Sequence, residues 1–190
     1  MLCIGVNEYT AWEKLDNAVA DAESVAKKFE ELGALNSRVR RCKNPTTRAF
    51  LRREVEEFLR NIDKQSPPEI VVIFFAGHAI QEGDKIYMFP ATADPKDKSE
   101  LDIQCLSHDV LFRMIKEGLD DKIDVIDVRY IVILDACRNS LESKETIKTP
   151  FSDTIHEPLP SARPEHWVLC TSTSRKDYAS DGGDGHSPFT

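Results

Sequence analysis

Apolar positions along the chain fall into two rhythms. In Glu69–Ala76 the run Ile70-Val71-Val72-Ile73-Phe74-Phe75 has no polar break, which predicts a strand buried on both faces, as in a parallel sheet. Met1–Val6 and Tyr130–Leu134 read the same way. Arg38–Cys42 and His166–Cys170 are predicted as two further strands, and Ile86–Phe89 as the arm of a small hairpin. Between them apolar residues recur at three- and four-residue spacing. Over Asp16–Gly33 they are Val19, Ala22, Val25, Ala26, Phe29 and Leu32, with Gly33 at the expected helix C-cap. Thr46–Asp63 carries Phe50, Leu51, Val55, Phe58, Leu59 and Ile62 on one side. Leu106–Leu119 is a third helix with Leu111, Met114 and Ile115 inward. Strands alternating with helices predict an open α/β sheet, mostly parallel, with helices on both faces. In such sheets function gathers at the carboxyl ends of the strands.

Composition narrows the picture. The 190 residues make a single predicted domain, 1–190, and 41% hydrophobic residues supply a real core. The net charge of −8 argues against nucleic acid as a partner, because that affinity is mostly phosphate neutralisation. It suits a basic ligand or side chain. The longest apolar run, Ile70–Ala76, is far short of a membrane span, and the start lacks the pattern of a signal peptide. Five scattered cysteines, with no C-x-x-C pair, suggest neither a zinc site nor a disulfide framework and fit a reducing, cytoplasmic setting. The basic stretch Arg38–Arg53 is followed at once by Glu54, Glu56 and Glu57, which reads as a solvated helix face. The acidic run Asp120, Asp121, Asp124, Asp127 has no defensible calcium-loop spacing. No metal and no cofactor are therefore expected.

Two strand ends carry chemistry. Glu69–Ala76 runs into Gly77-His78, and Tyr130–Leu134 into Asp135-Ala136-Cys137-Arg138-Asn139. On neighbouring strands, His78 and Cys137 would emerge on one rim, a base beside a thiol. An adjacent imidazole changes the protonation of a thiol that is otherwise mostly neutral at neutral pH. Taken singly, each residue has a blander reading: Cys137 as a small buried hydrophobe, His78 as a capping or surface residue, Asp135 as a phospho-acceptor or metal carboxylate of a receiver-like domain.

Together the segments Phe74-Phe75-Ala76-Gly77-His78 and Ile133-Leu134-Asp135-Ala136-Cys137-Arg138-Asn139 resemble the caspase-like cysteine peptidases, and within them the metacaspases, paracaspases and orthocaspases more than animal caspases, which carry Gln-Ala-Cys-Arg-Gly. Ile4-Gly5-Val6-Asn7-Glu8-Tyr9, Leu15–Ala22, Ser172-Thr173 and Ser187–Thr190 extend the resemblance over nearly the whole chain. It implies a caspase-like three-layer sandwich, divided into a large-subunit-like part (1–140), a linker (141–164) and the start of a small-subunit-like part (165–190), which stops early. It implies Cys137 as nucleophile, His78 as general base and acid, and the backbone N–H groups of Gly77 and Cys137 as oxyanion donors. It places Asp21, Asp135 and Asp181 about a pocket for Arg or Lys, so that the expected partners are protein or peptide substrates with Arg or Lys before the scissile bond. It also suggests self-cleavage after Lys144, Lys148 or Arg163. The runner-up reading is a catalytically idle interaction module of the same fold.

Overall fold

In the computed structural model the residues described are 1–33, 38–62, 70–120, 128–136, 138–139 and 167–171. Five parallel strands form the main sheet in the order β2-β1-β3-β7-β9. They are β1 (Leu2–Gly5), β2 (Arg40–Lys43), β3 (Ile70–Ala76), β7 (Arg129–Asp135) and β9 (Trp167–Thr171). The unbroken apolar runs are explained by the side-chain period of two. Leu2 and Ile4 of β1, Val71, Ile73 and Phe75 of β3, and Val132 and Leu134 of β7 enter one apolar cluster. The residues between them, Cys3, Phe74 and Ala76 with Ile133 at its border, enter another on the opposite face.

Each face has its own cover. On the smaller side lies α1 (Ala18–Glu31), which buries Ala18, Ala22 and Ala26. Small residues let the helix sit close: a Cβ on Gly5 would lie 2.6 Å from the Ala18 carbonyl oxygen and from Val19 Cα. The other side is covered by α2 (Arg48–Arg60), which contributes Leu51, Val55, Phe58 and Leu59, and by α4 (His108–Asp120), which contributes Leu111, Phe112, Met114 and Ile115. Thr47 caps α2, its hydroxyl accepting the Phe50 N–H at 3.1 Å. The expected three layers are therefore present.

The edge strand β2 explains the basic stretch. Arg40 pairs with Glu54 (2.8 Å) and Glu57 (2.6 Å) of α2, while Arg41 reaches Glu23 (3.1 Å) and Glu30 (2.8 Å) of α1. Lys43 joins Glu23 at 2.9 Å. Alternate residues of one charged strand thus clamp the helices on both faces, and the charge blunts an exposed sheet edge.

A second sheet, ordered β6-β5-β4-β8, goes beyond the sequence expectation. It contains β4 (Ala79–Glu82), β5 (Lys85–Met88), β6 (Leu106–Ser107) and β8 (Arg138–Asn139). The expected hairpin arm is β5, paired antiparallel with β4. The helix expected from Leu106 starts instead at His108, because Leu106 and Ser107 pair with Met88 and Tyr87. A short helix, α3 (Lys98–Gln104), lies between β5 and β6. Asn139, expected to open a long loop, pairs with Ile80. No helix among the described residues is long and apolar enough to cross a membrane.

Candidate active site

The two sheets meet where the sequence places its chemistry. β3 and β7 run side by side in parallel until Ala76 faces Asp135. In the second sheet, β4 and β8 are again parallel neighbours, with Ala79 facing Arg138. Two residues separate the paired positions in each strand: Gly77 and His78 in one, Ala136 and Cys137 in the other. Cys137 itself lies outside the described residues. The strand order changes direction here too, since β1 has β2 on one side and β3 on the other. The crevice at such a switch point is where open α/β sheets bind ligands.

His78 is half-buried and held at several points. Its Nε2 lies 2.7 Å from the Glu13 carbonyl oxygen. A carbonyl only accepts, so Nε2 carries the hydrogen, and in the neutral ring the lone pair is on Nδ1. That is the nitrogen able to take a proton. The backbone N–H of His78 donates to Tyr9 Oη at 2.7 Å, and its carbonyl accepts the Phe89 N–H at 3.0 Å. The imidazole lies against the Tyr9 ring, with centroids 4.4 Å apart, and 6.1 Å from the Trp12 ring.

Tyr9, Trp12 and Glu13 belong to the loop after β1, and that loop is firmly staked. Asn44, with φ +46°, turns its side chain so that Oδ1 accepts the N–H groups of Asn7 (2.7 Å) and Glu8 (3.2 Å). Asparagine tolerates this left-handed backbone better than most residues. Asn7 Oδ1 accepts the Val19 N–H at 2.9 Å, tying the loop to the start of α1. Thr10 N–H donates to the Ala91 carbonyl at 3.0 Å.

One expected role needs correction. The Gly77 N–H donates to the Asp135 carbonyl at 3.2 Å, so the sheet already uses the donor assigned to an oxyanion. Glycine at 77 has a different reason: a Cβ there would lie 2.5 Å from Tyr9 Oη.

A family model for the caspase domain matches residues 1–190, the whole chain. The chain belongs to the caspase-domain family. Membership supports a cysteine peptidase acting on protein or peptide substrates. No curated protein matches the chain.

For this caspase-domain protein the remaining site residues divide as follows. Asp135, at the end of β7, is 5% exposed, and Asp21, in the first turn of α1, is 1% exposed. Ile133 borders the cluster under α1, and the period of two puts residue 135 on that same side. Both carboxylates are thus buried on the α1 side of the sheet. Asp181, the linker 141–164 with Lys144, Lys148 and Arg163, and the acidic residues Asp121, Asp124 and Asp127 lie outside the described residues. Among the described residues, no group of three or more His, Cys, Asp and Glu side chains is arranged to hold a metal ion.

The other thiols contrast with the candidate nucleophile. Burial pushes Cys3, Cys42 and Cys105 each up to about 12, leaving them protonated and inert at neutral pH. Tyr9 and Trp12 had no assigned role in the sequence reading, since an irregular loop has no periodicity to mark them. The glycine before His78 was the one available signal that something large sits against that backbone.

Proposed function

We propose that the protein is a cysteine endopeptidase that cleaves after Arg or Lys through Cys137 and His78. The observation that carries this reading is the double register: Ala76 faces Asp135 before the two candidates, and Ala79 faces Arg138 after them. His78 Nδ1 takes the thiol proton, and the thiolate sulfur attacks the substrate carbonyl carbon. The tetrahedral oxyanion collapses, the C–N bond breaks, and His78 returns the proton to the leaving amine. Water, deprotonated by the same nitrogen, then attacks the thioester and releases the acid and the free thiol. The Glu13 carbonyl supports the cycle by accepting from Nε2–H in both charge states of the ring and stabilising the imidazolium. With the Gly77 donor committed to Asp135, the Cys137 N–H remains the oxyanion donor in this reading.

Specificity rests on the buried acids. Carboxylates buried without a counter-charge are costly to ionise, so a guanidinium entering their pocket relieves them. Asp135 stands two residues before the nucleophile, with Asp21 on the same side of the sheet; Asp181 is placed there by resemblance alone. Arg is favoured over Lys where the contact is bidentate, and an Asp side chain is repelled. No step requires a metal, so excess EDTA should leave turnover unchanged; a strict, reversible calcium requirement contradicts that. The test of the proposal is a set of fluorogenic peptides differing only in the residue before the scissile bond, run on wild type and Cys137→Ala. Turnover after Arg and Lys that disappears with the thiol is expected. Hydrolysis after Asp as fast as after Arg contradicts the pocket, and turnover without Cys137 contradicts the dyad.

A further inference from the structure

We infer that Tyr9 is a positioning residue for His78, acting through its hydroxyl as well as its ring; the inference rests on the dyad proposed above. Tyr9 is 2% exposed and packs in the main core, so a purely structural role is the alternative to beat. Its hydroxyl, however, is placed at the mouth of the β4–β5 hairpin between the two residues that open it. It accepts the N–H of His78 at 2.7 Å and lies 3.3 Å from the Phe89 carbonyl, to which it donates. His78 and Phe89 are also joined directly, Phe89 N–H to His78 carbonyl. Donor and acceptor capacity of the one hydroxyl are both spent on this joint.

The ring adds a second restraint. At 4.4 Å between centroids, tilted by 49°, the phenol limits the swing of the imidazole. The Glu13 carbonyl fixes the ring's far nitrogen. Backbone and ring of His78 are therefore held by the same short loop, Tyr9 supplying one restraint on each. Gly77 completes the fit, since any side chain there collides with Tyr9 Oη. Burial holds the phenol's pKa well above its ordinary value, so it remains a neutral hydroxyl throughout the working range. Tyr9 touches neither substrate nor the reacting atoms in this account. It sets where Nδ1 stands relative to the thiol.

A loosened base lowers the chemical step without weakening substrate binding, and misplacement of about 1 Å can cost on the order of a hundredfold. Tyr9→Phe keeps the ring and removes the hydroxyl. We expect kcat on an arginyl peptide to fall roughly ten- to hundredfold, with KM changed by less than about twofold. The acid limb of Cys137 alkylation by iodoacetamide should move to higher pH, because the thiolate loses its well-placed imidazolium. In a His78→Ala background, Tyr9→Phe should have no further effect on the residual rate. A structural role alone lowers both backgrounds by the same factor, and that result overturns the inference, as does a Tyr9→Phe enzyme with wild-type kcat and alkylation profile. If Tyr9→Phe does not fold, 3-fluorotyrosine at position 9 keeps the hydroxyl but makes it a poorer acceptor for the His78 N–H. A few-fold fall in kcat at constant KM is then expected, and unchanged kcat overturns the role. Should His78→Ala alkylate as fast as wild type at every pH, the dyad fails and the Tyr9 role with it. Wild-type behaviour confined to the Tyr9 variants overturns the Tyr9 role alone.

Discussion

Two histidines in this molecule are held by their ring nitrogens, one at the β4 rim and one at the start of α4, and they are held to opposite ends. His108 is 1% exposed; its Nδ1 accepts the Ile86 N–H at 3.0 Å, and its Nε2 lies 3.3 Å from Asp109 Oδ1. His78 also carries its hydrogen on Nε2, directed at the Glu13 carbonyl. The tautomer is the same and the use of Nδ1 differs. At His108 the lone pair is spent on a backbone donor of β5, which seals the joint between the second sheet and α4. At His78 the fold anchors the opposite nitrogen and the backbone, and Nδ1 is the atom the chemistry calls for. Burial and backbone bonding alone therefore do not separate a structural histidine from a catalytic one. What separates them is whether the acceptor nitrogen has been consumed by the fold.

The largest expected effects break this contrast directly. Cys137→Ala should abolish turnover, and His78→Ala should lower it by orders of magnitude, with the double variant little worse than either because the pair acts as a unit. Steady-state kinetics on an arginyl peptide checks this. His108→Ala should do the reverse. It strands a buried Ile86 N–H and opens a cavity beside Phe112, whose ring is 5.8 Å away. A stability loss of about 2–4 kcal/mol in urea is expected, with kcat per folded molecule unchanged. His78→Ala in the same titration should lose less than about 1 kcal/mol. Equal stability losses in the two variants would erase the distinction.

Asp135→Ala sharpens the specificity half. Removing one member of a buried charge pair with the substrate guanidinium should cost ~2–5 kcal/mol, read as lower kcat/KM on Arg peptides. Asp21→Ala and Asp181→Ala should do less. The buried thiols supply an alkaline test. Cys3, Cys42 and Cys105 are raised from an ordinary 9.0 to about 12, so the unfolded chain gives up these protons first as pH rises. Their contribution to stability is complete below pH 9 and is lost as pH climbs toward 12; thermal melts of Cys→Ser variants should show a flatter alkaline decline. The smallest effect is Arg52→Ala, which removes an exposed pair with Glu56 and should change stability by less than about 0.5 kcal/mol.

How much of this was legible depended on how strongly each segment repeats. Ile70–Phe75 and Tyr130–Leu134 are buried on both faces, and that constraint writes itself as an unbroken apolar run. The helices announced themselves through Leu51, Val55, Phe58 and Leu59, which share one side of α2. The second sheet did not, because its strands are two to four residues long and mix polar with apolar, as in Ala79–Glu82 (Ala, Ile, Gln, Glu). Its pairing is dictated by what precedes it: β4 and β8 are delivered side by side by β3 and β7. The helix α3 buries Leu101 alone and offers too little periodicity to recognise. Within the site, His78 and Asp135 were visible as strand ends. The partners of His78 were not, since a carbonyl such as that of Glu13 has no sequence signature, and Tyr9 and Trp12 sit in a loop shaped by Asn7 and Asn44.

The central claim, that Cys137 is a thiol activated by His78 beside a pocket for a basic side chain, is tested most directly by one measurement: the mapped site and rate of covalent labelling by an arginyl fluoromethyl ketone at neutral pH. The account predicts a single modification on Cys137, slowed by orders of magnitude in His78→Ala and competed by an arginyl peptide, with Cys3, Cys42 and Cys105 untouched. Labelling at another residue, or at Cys137 with no dependence on His78, contradicts it.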